Sequence, residues 1–335
     1  MKEKGASELS EKIRVGIYGY GNIAKAAERT IAKCDDISVE AIFTRRDPSK
    51  MRSISGAKIV AADKALEYVK KIDVMLLCGG SATDLPIQGP ELAKHFNVVD
   101  TYDNHPKISE YLDAVNKQAE LHKKVAIVSS GWDPGLFSMM KSLFSSFLPE
   151  GKNYPFWGPG VSQGHSEAIR RVDGVTDAIQ YTVPVESVLS EVRNGSMKDY
   201  KTGQRHKRVC YVSVKKGADK DKIARTIRQM PNYFIDYDVE INFVSEAELK
   251  KNHSRMPHGG HVFRNGETAG GNDYSMEFSM KFGSNPEFTA SIMVAFARAA
   301  FRLFKEKDFG AKTVLDIPLS YLSEKSRKEM IKEFL

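Results

Sequence analysis

The chain has 335 residues, of which 41% are apolar and 28% charged, with a formal net charge of +7. Such a length exceeds one small core and predicts roughly two domains of about 150 residues. The basic residues are scattered and interrupted by acids, as in KKGADKDK and EKSRKEMIKEF, which reads as solvated helix faces and argues against a nucleic-acid partner.

The N-terminal MKEKGASELSEK is charged, with no apolar stretch behind it that could serve as a signal peptide. From Ile13 to about 130, β-rich runs and helix-like runs alternate. The strands are IRVGIYG, ISVEAIFT, the Asp73–Cys78 run, NVVDTY and VAIVSS; the helices include NIAKAAERTIAKC and ISEYLDAVNKQAELHKK. Alternation of this kind predicts parallel strands with crossover helices, a Rossmann-type doubly wound α/β sheet. From Trp132 onward longer β-rich runs take over, AIQYTVP, RVCYVSVKK, DYDVEINFVS and YSMEFSMKF, with one helical run, DKIARTIRQM, among them. They predict a second, α+β domain with a mostly antiparallel sheet, one face of which is covered by helices. The run FTASIMVAFARAAFRLF carries Arg298 and Arg302 and is too short to span a membrane, so it reads as a buried helix returning to the first domain. The expected domains are therefore 1–131 with 286–335, and 132–285. Three widely spaced cysteines, Cys34, Cys78 and Cys210, predict a reduced, cytoplasmic protein.

The first strand leads into G-x-G-x-x-A at Gly19, Gly21 and Ala24. Gly19 permits a tight turn, Gly21 lets backbone approach a pyrophosphate, and Ala24 lets the helix pack closely on the strand. Placed between an apolar strand and an amphipathic helix, the motif predicts dinucleotide binding by Gly19, Tyr20, Gly21, Asn22 and Ile23. The second strand ends in Thr44, Arg45 and Arg46, where an acid would hold a ribose 2′-hydroxyl. Guanidinium groups pair with phosphate, so these residues favour NADP over NAD. A solvated basic turn is the plainer alternative, because Asp47 and Pro48 follow.

Further phrases narrow the reading: GGSATDLP, VVDTYDNH, SSGWDPGLFS, FWGPGVSQGHSEAIRR, YTVP, HKRVC, MPHGGHV and NPEFTAS. Together they closely resemble the meso-diaminopimelate D-dehydrogenases, from about Ile13 to the end of the apolar helix. The resemblance implies NADP-dependent, reversible oxidative deamination of the D-centre of meso-2,6-diaminopimelate to L-2-amino-6-oxopimelate and ammonia, by a homodimer. It also implies cofactor contacts at Cys78, Gly79, Gly80, Ser81, Thr101, Tyr102, Asp103, Ser130, Gly131, Trp132, Asp133 and Pro134.

The substrate carries two carboxylates and two ammonium groups, so its site needs acids, cations and hydroxyls. Asp103 and Asp133 follow the fourth and fifth strands at their carboxyl ends, where doubly wound sheets bind ligands. Each could be a turn-former, yet both match the family's acids, which implies that they hold the D-ammonium group and help it lose a proton. Trp157, in a glycine-rich loop, matches a substrate contact. Thr182 ends a strand and Arg208 begins one; both match residues that grip the L-configured end, with Arg205 and Lys207 as less favoured neighbours. His258 matches a substrate hydrogen-bond donor. With His253 and His261 it lacks the further ligands of a metal site, and no metal is expected. Asn285 reads as a helix N-cap before Pro286, and the resemblance makes it a substrate contact as well. Two alternatives stay open: another NADP-linked amino-acid or sugar dehydrogenase, and a dinucleotide-sensing protein without chemistry.

Overall fold

The computed structural model describes residues 12–231 and 233–335. Apart from Lys12, the charged N-terminal dozen lies outside the described residues. The chain divides into two compact units, Met1–Met139 with Pro286–Leu335, and Met140–Asn285.

The first unit opens with β1 (Ile13–Tyr18), α1 (Asn22–Ile31), β2 (Ile37–Thr44), β3 (Lys58–Ala61) and β4 (Val74–Leu77). Then come α2 (Leu85–Ala93), β5 (Asn97–Asp100), α3 (Ile108–Leu121), β6 (Val125–Ile127) and α4 (Leu136–Phe147), within which the division falls. The second unit adds β7 (Gly151–Trp157), β8 (Gly160–Val161), α5 (Gln163–Arg170), β9 (Val175–Pro184), α6 (Glu186–Arg193) and α7 (Thr202–Arg205). It continues through β10 (His206–Val214), α8 (Lys220–Arg228), β11 (Asp238–Phe243), α9 (Glu246–Asn252), β12 (His258–Glu267) and β13 (Asp273–Phe282). The chain ends with α10 (Asn285–Lys305), β14 (Gly310–Lys312) and α11 (Arg327–Phe334).

In the first unit seven strands form one sheet in the order β14-β6-β5-β4-β1-β2-β3, and every pair is parallel. Successive side chains on a strand point to opposite faces, which sorts the core. Val74 and Leu76 of β4 join Val15 and Ile17 on the face covered by α1 and α10. Met75 and Leu77 join Phe43 and Val98 on the face covered by α2 and α3. The apolar run of α10 thus belongs to this sheet, with Ala290, Met293, Ala297 and Ala300 fully buried against it.

The second unit holds two sheets rather than one: β11-β10-β9-β8 and β13-β12-β7. The pairing is antiparallel except between β10 and β11, which run parallel because α8 forms the crossover between them. Helix α5 packs on β9 through Ile169, and α8 contributes Ile223 and Ile227 to the same core.

Arg298 of α10 carries its charge into the first core and is only 7% exposed. Its Nε and Nη2 donate to the two oxygens of Asp36 at 2.7 and 2.9 Å, and Glu324 lies 3.5 Å from Nη2. Cys34, Asp36 and Glu324 bring their ligand atoms within 4.8 Å of one another, but this guanidinium already serves as their cation. Removing one partner of a buried pair leaves an uncompensated charge. Asp36→Ala should lower stability in urea unfolding by about 2–3 kcal/mol, somewhat less than for a fully buried pair because Asp36 is a quarter exposed. Arg298→Met, which leaves Asp36 to water, should lower it less; the reverse order would show that the pair is not what holds α10.

Candidate active site

In the first unit the glycine turn joins β1 to α1. Gly19 has φ +95, and a Cβ there would press on the Cys78 backbone at 3.3 Å, so glycine is required. A Cβ on Gly21 would meet nothing within 4 Å, and Gly21 caps α1 without a side-chain hydrogen bond. The helix therefore presents its first N–H groups to open space, as a phosphate-binding turn does. A cavity of about 260 Å³ adjoins it, lined by Gly19, Tyr20, Gly21, Thr44, Arg45, Arg46, Cys78 and Gly79 among others. Burial pushes the Cys78 thiol up to about 12, which leaves it a wall rather than a nucleophile.

The two arginines are held differently. Arg46 donates from Nη2 to the Tyr20 carbonyl at 2.5 Å, and its backbone N–H donates to Thr44 Oγ1 at 3.2 Å. Arg45 is 68% exposed and reaches Asp84 at 2.8 Å, across the mouth of the cavity. Asp84 also accepts from the Gly80 N–H at 3.1 Å. Asp84 lies three residues beyond Ser81, the last cofactor contact expected in the phrase GGSATDLP, and is an addition to that set.

At the carboxyl ends of β5 and β6, Asp100 is fully buried and organises two loops. Its Oδ1 accepts from the N–H groups of Tyr102 at 2.9 Å and Ser129 at 3.0 Å; Oδ2 accepts from Tyr111 Oη at 2.6 Å. Its carbonyl accepts from Ser130 N and Oγ at 2.9 and 2.7 Å. These loops carry Asp103, exposed and tied through its N–H to Ser81 Oγ at 3.1 Å, and Asp133, half-buried. The Tyr102 and Trp132 side chains turn inward, Tyr102 stacking on Tyr111 and Trp132 meeting Phe137 edge-on. Any cofactor contact from Tyr102 is thus left to its backbone.

In the second unit Thr182 and Arg208 stand directly opposite on β9 and β10. Arg208 is the third residue of its strand, not the first, and Thr182 lies two residues inside the end of its own. Arg208 Nη1 donates to Thr182 Oγ1, and the guanidinium lies 3.9 Å from the centre of the Tyr237 ring. Arg208 is only 8% exposed, and its Nε has no hydrogen-bond partner among the described residues. Gly160 pairs with Thr182, and a Cβ on Gly160 would strike the His258 ring at 2.2 Å, so glycine lets the histidine close in. Trp157 ends β7 rather than lying in a loop; its backbone N–H donates to His206 Nε2 at 2.9 Å, and the two rings are 5.1 Å apart. Asn285 is the first residue of α10 instead of its cap, and its N–H donates to the Met256 carbonyl at 2.8 Å. Segments 157–161 and 256–260 are hydrogen-bonded together, so they gather Trp157, Thr182 and His258. The other histidines go elsewhere: His253 pairs with Tyr181 Oη and His261 with Glu277, each at 3.0 Å.

A parallel sheet carrying a phosphate-binding turn, with a buried arginine in an α+β unit, defines a two-unit, dinucleotide-dependent oxidoreductase. Residues 131–284 match the diaminopimelic acid dehydrogenase C-terminal domain. The chain is 52% identical to the meso-diaminopimelate D-dehydrogenase of Acetivibrio thermocellus over 328 residues, 97% of this chain and 98% of that one. The C. glutamicum DAP dehydrogenase in complex with DAP is 41% identical with a TM-score of 0.90, over 97% of this chain and 99% of that one. An engineered D-amino acid dehydrogenase bound to NADP+ is 40% identical with a TM-score of 0.86, over 97% of this chain and all of that one. The chain belongs to the meso-diaminopimelate D-dehydrogenase family. Among the described residues, no helix is long and apolar enough to cross a membrane.

Burial pushes His206 and His258 down to about 4; for His206 the nearby Arg205 and Arg208 add to the effect. Both are neutral when folded at pH 5–7, while an unfolded histidine titrates near 6.5. The unfolded state therefore binds more protons, and stability is lost as pH falls from about 6.5 toward 4, by up to about 1.4 kcal/mol per pH unit for each group. Urea midpoints should fall between pH 7 and 4.5, and His206→Gln should remove one proton from that slope. An unchanged slope would mean that His206 protonates without unfolding.

Proposed function

We propose that the protein oxidises the D-centre of meso-2,6-diaminopimelate with NADP, yielding L-2-amino-6-oxopimelate and ammonia, and that it also runs the reverse reductive amination. The observation that carries this is Arg208: a buried guanidinium with a donor left over, beside a threonine hydroxyl and stacked on an aromatic ring. Such a group fits a carboxylate that supplies the missing acceptor. With Thr182, His258 and Asn285 it would hold the L-configured end, while Trp157 walls the site.

Asp103 and Asp133 would hold the D-ammonium group and take its proton, leaving a neutral amine whose lone pair assists departure of the α-hydrogen. The resulting imine adds water and expels ammonia. NADP, when bound, supplies the two-electron acceptor. The open Gly21, the uncapped start of α1 and the Arg45–Arg46 pair fit its phosphates. The family resemblance further supports a homodimer in the cytoplasm.

Because one end must be recognised for the other to react, loss of the far-end grip should lower kcat as well as weaken binding. NADPH formation should be fast with meso-diaminopimelate, slower with the DD isomer and absent with the LL isomer. Losing a charge-assisted hydrogen bond corresponds to about 1.5–3 kcal/mol, so Arg208→Met should reduce kcat/KM for the meso isomer about ten- to a hundred-fold. It should affect a short D-amino acid without a distal carboxylate much less. Equal losses on both substrates would make Arg208 a structural residue.

A further inference from the structure

Glu28 lies on the inner side of α1 and is 0% exposed, yet no role in binding or chemistry has fallen to it. A carboxylate in that position must be surrounded by donors. Its Oε2 accepts from Tyr20 Oη at 2.7 Å. Its Oε1 accepts from Ser53 Oγ at 2.5 Å, Ser55 N at 2.6 Å and Ser55 Oγ at 2.5 Å. Burial by itself would raise its pKa, but the donors from Ser53, Ser55 and Tyr20 outweigh it and leave the carboxyl below its ordinary value. Glu28 is therefore an anion clasped by one helix, one turn and the segment that follows β2.

The clasp leads directly to the cofactor cavity. Tyr20 stands between the two glycines of the turn, where the neighbouring backbone has least stiffness of its own, and its side chain is 4% exposed. Anchoring the phenol fixes the Tyr20 peptide, and the Tyr20 carbonyl is the acceptor that holds the Arg46 guanidinium at 2.5 Å. Tyr20 Oη also lies 3.2 Å from the Arg52 carbonyl, which ties the segment after β2 to the same point. We infer that Glu28 is a positioning residue for the cofactor's 2′-phosphate, acting through Tyr20 to set the place of Arg46. The inference rests on the NADP reading above. A purely structural staple would affect all adenine nucleotides alike, whereas a positioning residue acts on those that carry a 2′-phosphate.

The test compares binding of 2′,5′-ADP and of 5′-AMP by calorimetry, with no substrate present, in the wild type, Glu28→Gln and Tyr20→Phe. The glutamine keeps the size of the side chain but turns one acceptor into a donor facing other donors. Displacing a charge-assisted contact should lower the ratio of 2′,5′-ADP to AMP affinity about tenfold in Glu28→Gln. Tyr20→Phe, which leaves the serines on Glu28, should lower it about threefold to tenfold. If Glu28→Gln does not fold, Tyr20→Phe decides alone. A wild type that does not prefer 2′,5′-ADP overturns the NADP reading and this inference with it. A wild-type preference that survives unchanged in the folded variants overturns this inference alone.

Discussion

The buried carboxylate of Asp100 is the constraint on which the ligand-facing edge of the first unit depends. Loops at the ends of parallel strands have no ladder to hold them, so their N–H groups must find other acceptors. One side chain and one carbonyl at the end of β5 supply acceptors for Tyr102, Ser129, Ser130 and Tyr111. The loop bearing Asp103 and the loop bearing Asp133 are thereby tied to one point. Burial raises the Asp100 pKa above its ordinary value, and the donors from Tyr111, Tyr102 and Ser129 offset only part of that rise. The same network reaches α2, because a Cβ on Gly89 would meet Tyr111 Oη at 2.1 Å. The hydroxyl that caps the carboxylate therefore also sets how closely α2 and α3 approach.

Three buried arginines differ in how completely they are paired. Arg298 is matched by a carboxylate on two of its nitrogens. Arg264 is matched by the carbonyls of Leu148 and Pro149 and the side chain of Asn153. Arg208, buried to a similar degree, keeps an unmatched Nε. Desolvating a cation without filling its donors is unfavourable, and burial lowers the Arg208 pKa. The open donor is what the proposed substrate carboxylate would fill. The neutral histidines around it fit this picture, since a charged imidazole beside Arg208 would add repulsion.

The glycine turn, the apolar strands around it and the arginine pair were legible in the sequence because each is a local pattern. β3 and β14 were not, being short edge strands, KIVA and GAK, with little alternation to find. β7 and β12 were hidden by Pro155 and by Gly259 and Gly260, residues that ordinarily count against strands. The parallel β10–β11 pair had its signal in view, since DKIARTIRQM between two β-rich runs is a crossover helix. Glu28, Asp100 and His206 were beyond reach for another reason. Each takes at least one partner from a segment far along the chain, Ser55 for Glu28, Ser129 for Asp100 and Trp157 for His206, and a lone polar letter does not tell whether the fold brings donors to it.

The Arg45–Asp84 pair has a consequence for selectivity among anions. An exposed pair of this kind contributes at most about 1 kcal/mol and is screened by salt. Any anion arriving at Arg45 displaces Asp84, and the freed carboxylate then stands close enough to repel it. For a monovalent anion the exchange is nearly neutral, one single charge for another. For a phosphate dianion the attraction to Arg45 and the repulsion from the freed Asp84 both double, and what tips the balance toward it is the second cation, Arg46, in the same cavity lining. An ion exchanger of this kind would sort by valence, with chloride the poorer competitor because one charge gains less from the second guanidinium.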